Sequence, residues 1–430
     1  MFYVIHYTIT MRTIIIKVLN ILSKKMLVKY DPVVIGVTGS VGKSSTKKVI
    51  YEILKRKYKV RCDRSCYNTD ISVPLAITGF ESGGRSIRRW IKIIFKTIDR
   101  LFKKNGYPDV LILEMGVNRP NDMKKMLAVV KPDIGILTGI GKFPSHTEYF
   151  KDAKHIVREK SLLARSLRKK DLAILNLDDE FIKELPEYIK SSIITYGFNE
   201  SADVRAEELL LGSKKFKTED GSMGMRFKIS YQGTTVPFRL PHALGRGQIY
   251  STLSAVAVGI HFGFNLVEMS EALSGYHPLA GRMKMIKGIN RSLIIDDTFN
   301  SSPSSALSAL ETVEKLEAPR KIAVLGDMLE LGEQCEVGHR EVGKVVPKSV
   351  DFLFTYGSKS EVIARQTQKS GMKKENIFHF ENIDELIELL KNIIQNKDII
   401  LVKGSRAMHM EKIVKEIMAD PEKADKLLVK

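Results

Sequence analysis

The sequence predicts an α/β protein: a parallel-sheet domain entered through a phosphate loop and carrying an antiparallel insert, then a C-terminal Rossmann-like α/β domain. Three observations predict it. From Asp31 onward, short β-branched runs alternate with helical stretches, the pattern of a parallel sheet covered on both faces. The first run leads into Thr38-Gly-Ser-Val-Gly-Lys-Ser-Ser45, a glycine-rich turn that opens a helix. The alternation breaks over residues 197–240 and resumes after Tyr276-His-Pro-Leu-Ala-Gly281, a Gly/Pro boundary.

A chain of 430 residues fits two or three domains. The expected division is an N-terminal amphipathic segment (1–30), a central phosphate-loop domain (31–281) and the Rossmann-like domain (282–430). With 43% hydrophobic and 28% charged residues, disordered and collagenous classes are excluded. The net charge of +19 favours anionic partners: nucleotides, nucleic acid or an acidic membrane surface. Three cysteines, Cys62, Cys66 and Cys335, make no disulfide framework and point to a reducing cytoplasm.

The elements follow in order. Residues 12–29 form a basic, apolar helix, either interfacial or packed on the next domain. Strands are expected at Val33–Val37, Val110–Leu113, Ile134–Thr138, Leu172–Asn176 and Ile193–Tyr196. A helix is expected over Lys47–Arg56. Residues 197–240 read as antiparallel, with a strand at Met225–Tyr231, and a helix follows over Gln248–Phe262. The second series has strands at Ser292–Ile295, Lys321–Leu325, Phe352–Tyr356 and Ile399–Val402.

The phosphate loop carries the clearest chemistry. Gly39 and Gly42 let the N–H groups of Thr38 to Ser45 curl around phosphate oxygens. The helix N-terminus adds a favourable dipole. Lys43 neutralises β/γ charge, and the Ser44 hydroxyl suits Mg²⁺. The strict phosphate-loop pattern is not met, because Val37 stands at its first glycine position. Glu114 ends an apolar strand, at the sheet edge where open α/β folds bind ligands, and its carboxylate suits Mg²⁺. His146 and Lys160 follow in Pro144-Ser-His-Thr-Glu-Tyr-Phe150 and Arg158-Glu-Lys-Ser-Leu-Leu163. By itself each reads as an ordinary loop histidine and a solvated lysine.

Together, several segments resemble the Mur ligase family, in its branch that adds D-alanyl-D-alanine to the peptidoglycan precursor in cell-wall synthesis. They are the loop Thr38–Ser44, Leu113-Glu-Met-Gly116, the His146 to Lys160 spacing and Gly281-Arg282. Asp296-Asp-Thr-Phe-Asn300, Gly326-Asp-Met-Leu-Glu-Leu-Gly332 and Leu401-Val-Lys-Gly-Ser-Arg406 complete the set. The resemblance implies an ATP-dependent amide ligase acting through an acyl phosphate. It implies Mg²⁺, two ions, held by Ser44, Glu114, His146 and a carbamylated Lys160. It implies that Arg282 reaches the transferred phosphate and that Asp297 and Asn300 lie near the nucleotide. Asn68 would serve substrate, and Lys403, Ser405 and Arg406 the incoming amine. The implied substrates are a UDP-muramyl-peptide and D-alanyl-D-alanine.

Three departures stand out. The family's adenine-side Gly-Arg-His-Asn-x-x-Asn reads Gly245-Arg-Gly-Gln-Ile-Tyr-Ser251 here. Asn68-Thr-Asp-Ile-Ser-Val-Pro74 keeps the first Asn and the Pro but lacks the second Asn and the Gly. Only residues 1–32 precede the first strand, where the family carries a UDP-binding domain. Folylpolyglutamate synthase, a relative without that domain, makes another carboxylate donor the first alternative. A basic nucleic-acid-binding ATPase is the second; the Glu114, His146 and Lys160 set argues against it, and no base-stacking module is visible. Nucleic acid is therefore not an expected partner.

Residues 85–104 match no family motif. Ile87, Ile91, Ile94, Ile98 and Leu101 recur at helical spacing, and Arg88, Lys92, Lys96 and Lys103 line another face. Three readings stand: a surface helix with a solvated basic face, a contact with anionic membrane, or a holder for the anionic precursor.

Overall fold

Runs of Val, Ile and Leu become strands that are buried on both faces. The structure, a computed structural model, describes residues 2–62, 71–104, 106–141, 149–150, 152–211 and 224–429. The chain divides into two units. One comprises Met1–Gly139, Lys154–Val204 and Ser254–Phe264; the other comprises Ile140–Ala153, Arg205–Leu253 and Asn265–Lys430.

In the first unit the strands are β1 (Val33–Thr38), β2 (Val60–Cys62), β3 (Val110–Glu114), β4 (Ile134–Leu137), β5 (Leu172–Asn176) and β6 (Ser192–Gly197). They pair in parallel in the order β2-β3-β1-β4-β5-β6. Every residue of β3, β4 and β5 is buried, which is why these strands read as unbroken apolar runs. The five expected strands are present. β2 was not expected, because its three residues are too few to show a period. The strand order reverses at β1, between β3 and β4, so a crevice opens beyond the carboxyl end of β1. The residue there is Thr38, where the phosphate loop begins.

The helices of this unit are α1 (Phe2–Tyr30), α2 (Lys43–Leu54), α3 (Ser72–Thr78), α4 (Ile87–Phe102), α5 (Asp122–Leu127) and α6 (Ala153–Arg165). Helix α2 starts at Lys43, one turn earlier than the apolar spacing of 47–56 indicated. Lys43 and Ser44 therefore occupy its first turn. Helix α1 packs on α3 and α4, with Ile15, Leu19, Ile71, Leu75, Trp90 and Ile93 in one apolar cluster. Its last turn is tied down by polar contacts. Lys29 Nζ donates to the Lys103 carbonyl at 2.6 Å, and the Tyr30 hydroxyl to the same oxygen at 2.7 Å. The Tyr30 ring stacks on Tyr107 at 4.4 Å. Burial pushes the Tyr107 phenol up to about 12.

In the second unit, β7 (Val204–Leu211), β8 (Met225–Tyr231) and β9 (Thr234–Leu240) form the antiparallel insert. Gln232 and Gly233, at φ 45° and 79°, make the two-residue turn of the β8–β9 hairpin. Helices α7 (Arg246–His261) and α8 (Leu266–Leu273) follow; from Ser254, α7 belongs to the first unit. A six-stranded sheet is then built from β10 (Lys284–Lys287), β11 (Leu293–Asp297), β12 (Lys321–Gly326), β13 (Phe352–Tyr356), β14 (Ile377–Phe380) and β15 (Ile399–Lys403). Its order is β10-β11-β15-β12-β13-β14, and only β10 runs antiparallel. Around it lie α9 (Pro303–Glu314), α10 (Cys335–Ser349), α11 (Glu361–Lys369), α12 (Ile383–Ile393) and α13 (Glu411–Ile417). Among the described residues, no helix is long and apolar enough to cross a membrane.

Candidate active site

The phosphate loop owes its conformation to two glycines. Gly39 has φ 149°, and a Cβ there would lie 2.1 Å from Thr138 Oγ1. Gly42 caps α2 at φ 89°. Other residues therefore fit neither position. The loop is braced from both neighbouring strands. Thr38 Oγ1 donates to the Met115 carbonyl at 2.7 Å, and Thr138 Oγ1 to the Val41 carbonyl at 2.6 Å. The Ser40 N–H donates to the Gly139 carbonyl at 2.7 Å and that of Val41 at 3.3 Å. Ser40 Oγ is buried without a hydrogen-bond partner among the described residues. An orphaned hydroxyl beside two glycines and a lysine is a donor awaiting an anion, so the loop fits a phosphate. Ser45 is buried in the first turn of α2.

Two lysines converge on this loop. Lys43 Nζ and Lys160 Nζ each donate to the Gly39 carbonyl at 2.9 Å. Lys160 lies inside α6 and is only 1% exposed. Burial first, and the Lys43 charge second, hold its amine well below the usual lysine range. It is an uncommon lysine: fully buried, without an acid partner among the described residues, and shifted toward the neutral form.

Glu114 is buried at the end of β3, in register with Val37 of β1. The Ser44 hydroxyl donates to its Oε2 at 3.1 Å, and Lys47 Nζ lies 2.9 Å from the same atom. Lys47 is itself buried and was not singled out in the sequence. Its signal was its position one turn after Lys43, on the same face of α2. A serine hydroxyl and a carboxylate side by side are hard oxygen donors, so Ser44 and Glu114 fit Mg²⁺. Lys47 supplies Glu114 with a counter-charge of its own, which holds the carboxylate in place. His146 and Asn68, expected as metal ligand and substrate contact, lie outside the described residues.

The remaining expected residues gather in the second unit. Asp297 and Lys403 are register partners at the ends of β11 and β15. Their side chains pair at 2.6 Å, and Lys403 Nζ also donates to the Asn300 carbonyl at 2.9 Å. Burial lowers the Lys403 amine, against the pull of Asp297. The Met283 N–H donates to Asp297 Oδ1 at 3.2 Å. Its neighbour Asp296 accepts from the Gly281 N–H at 2.9 Å, and burial pushes its carboxyl up. Between these two backbone anchors, the Arg282 guanidinium lies over the Phe299 ring at 4.0 Å. Ser405 Oγ accepts from the Leu329 N–H at 2.8 Å, and Arg406 pairs with Glu411 at 3.0 Å.

Two further residues brace the Gly326–Gly332 segment. Asp327 Oδ1 accepts from the N–H groups of Lys359 and Ser360 at 3.1 and 2.7 Å. His339, fully buried, accepts from the Met328 N–H at Nε2, 3.0 Å. Its Nδ1 must then carry the proton, donated to the Cys335 carbonyl at 2.7 Å. Burial lowers its pKa below 6.5, so the fold holds the neutral ring. An unfolded chain takes up a proton near pH ~6.5. The stabilisation is thus complete above that pH and is lost as pH falls through the lowered folded value. Thermal melting of wild type between pH 7 and 5 should show this loss, and His339→Gln should flatten the slope. An unchanged slope would remove His339 as its source.

The Gly245–Ser251 segment, which the resemblance sets near adenine, is occupied by local contacts. Gln248 Nε2 donates to the Arg282 carbonyl at 3.0 Å, and its Oε1 accepts from the Tyr276 hydroxyl at 3.0 Å. Ser251 Oγ donates to the Gly247 carbonyl at 3.0 Å. A site whose polar side chains are committed elsewhere discriminates weakly between bases. The ratio of kcat/KM for ATP over GTP is therefore expected to stay below about a hundredfold, or ~2.7 kcal/mol. A larger preference would place base readers elsewhere.

A parallel sheet with a glycine loop and buried lysines at its switch point defines a phosphate-loop α/β protein, here continued by a second parallel-sheet unit. Residues 37–259 match the Mur ligase middle domain, and residues 281–406 match the Mur ligase glutamate ligase domain. The chain belongs to the Mur ligase family. It is 28% identical over 402 residues to the UDP-N-acetylmuramoyl-tripeptide–D-alanyl-D-alanine ligase of Bacillus subtilis, covering 93% of this chain and 79% of that one. Among solved structures, MurF ligase from Thermotoga maritima, in complex with ADP, superposes with a TM-score of 0.76 at 22% identity, covering 96% of this chain and 84% of that one. FolC of E. coli, also with ADP, gives 0.61 at 18%, covering 93% of each chain. At those identities the two structures show the fold alone.

Proposed function

We propose that the protein is a cytoplasmic ATP-dependent amide ligase of peptidoglycan precursor synthesis, joining D-alanyl-D-alanine to a UDP-muramyl-peptide. The carboxylate oxygen attacks the γ-phosphorus of ATP, the bond to ADP breaks, and an acyl phosphate forms. The amine then attacks the acyl carbon, phosphate leaves with the bonding pair, and the nitrogen loses its proton to solvent. The observation that carries this reading is the convergence of Lys43 and Lys160 on Gly39, next to the paired Ser44 and Glu114. Lys43 would hold β/γ oxygens, as phosphoryl transfer requires.

Ser44 and Glu114, with His146, would hold Mg²⁺, whose role is to neutralise charge on the transferred phosphate. Lys160 would act as its carbamate. Addition of CO₂ to an amine requires the neutral form and releases one proton, and the burial of Lys160 favours that form. The carbamate keeps one N–H for the Gly39 carbonyl. It also turns repulsion by the Lys43 charge into attraction. Arg282 is assigned to the transferred phosphate, Asp297 and Asn300 to the nucleotide, and Asn68, Lys403, Ser405 and Arg406 to the substrates.

The D-alanyl-D-alanine reading follows the Bacillus relative. The second reading is a ligase of the same family with another carboxylate donor. Phosphate release with UDP-muramyl-tripeptide and a panel of amines separates the two. Turnover is expected with D-alanyl-D-alanine. Turnover with a folate and glutamate instead would establish the second reading.

A further inference from the structure

Helix α4 presents its apolar residues to solvent. It buries Trp90, Ile93 and Thr97, yet Ile87, Ile91, Phe95, Ile98 and Phe102 are all exposed, Phe95 by 67% and Phe102 by 82%. At about 100° per residue these five fall within roughly a quarter of the circumference. A surface helix normally turns such a stripe inward and its polar residues outward. Here the outward stripe is flanked on its far side by exposed Arg88, Lys92, Lys96 and Lys103. The acid near them, Asp99, is paired with Lys103 at 2.7 Å.

Helix α1, packed beside α4, repeats the arrangement. It buries Ile15, Leu19, Leu22 and Met26 but exposes Ile14, Ile21 and Val28, the last by 85%. These three are seven residues apart, hence on one face. Lys17, Lys24 and Lys25 are exposed around them. The contacts of Lys29 and Tyr30 to the end of α4 hold the two helices as one element. Neither helix is long and apolar enough to span a bilayer.

We propose that the outer faces of α1 and α4 form a docking surface for an anionic lipid membrane, on which the protein lies with both helices in the interfacial plane. The chemistry favours lipid over a protein partner. Isolated apolar crests bordered by long cationic side chains suit acyl chains beneath anionic headgroups. Lysine and arginine stems add apolar length while their charges stay at headgroup level. The overall charge of +19 draws the protein to such a surface from solution.

The test is sedimentation of the full chain with vesicles of phosphatidylcholine alone or with about one-third phosphatidylglycerol. Binding is expected only to the anionic vesicles and should fall as salt rises from ~0.1 to ~0.5 M. Lys92→Glu with Lys96→Glu should weaken binding at least about tenfold. Phe95→Ser with Phe102→Ser should weaken it by a similar factor. Because these side chains are exposed and remote from the phosphate loop in sequence and contacts, melting temperature and ATP turnover should match wild type. Three results would overturn the proposal: equal or no binding to the two vesicle types, binding indifferent to both double variants, or self-association abolished by the phenylalanine changes without vesicle binding. The last would assign the face to a second copy of the chain.

Discussion

Lys43→Ala is expected to lower ATP turnover at least about a thousandfold while the protein remains folded. Charge on the transferring phosphoryl group is the main obstacle in such reactions, and a positioned cation removes it. The Lys43 side chain donates to the Gly39 and Ser40 carbonyls of its own loop, and its replacement is expected to leave the sheet and α2 folded. The loop conformation rests on Gly39 and Gly42, not on this lysine. The measurement is phosphate release, with thermal melting as the control for folding. A folded variant turning over ATP at the wild-type rate would take the phosphate loop out of the reaction.

The second large effect concerns Lys160. Lys160→Ala is expected to lose at least about a hundredfold in ligase rate and to regain part of it with added acetate or formate. The reason is charge. A protonated lysine beside Lys43 would repel that cation and any metal, and burial of an unpaired charge is costly. A carbamate carries the opposite sign and supplies oxygens to a hard cation. A small acid can enter the space that alanine leaves. Lys169, exposed on the loop that follows α6, serves as the control: Lys169→Ala should behave as wild type. Under ¹³CO₂ the wild-type protein should show a carbamate carbon signal that Lys160→Ala lacks. Full activity in Lys160→Ala without added acid would exclude the residue from the mechanism.

The parts of the site differ in how far the sequence reveals them. The phosphate loop is local. Strand, glycines, lysine and helix follow one another within a dozen residues, so backbone and chemistry are read together. The apolar strands were equally plain, because burial on both faces leaves no polar residue to blur the run. By contrast, β2, β10 and β14 are three or four residues long, too short for any period. They are strands because a neighbouring edge accepts them. The role of Lys160 was carried by a family resemblance, not by its own surroundings; nothing in Arg158-Glu-Lys-Ser announces a buried amine.

What the sequence by itself determined is the α/β class, the position of the phosphate loop and the family of the chain, all written in contiguous residues. Tertiary structure alone decided which distant side chains meet. Glu114 finds Lys47 only because β3 lies beside β1 in the register that pairs Glu114 with Val37. Asp297 finds Lys403 only because β15 is inserted beside β11. In α4 the periodicity of apolar residues was visible, but periodicity does not say which face is buried. That face was chosen by the packing of α1 and α3, which cover Trp90 and Ile93 and leave the isoleucine and phenylalanine stripe outside. Burial is a property of what packs against a residue, and the partners that supply it lie far away along the chain.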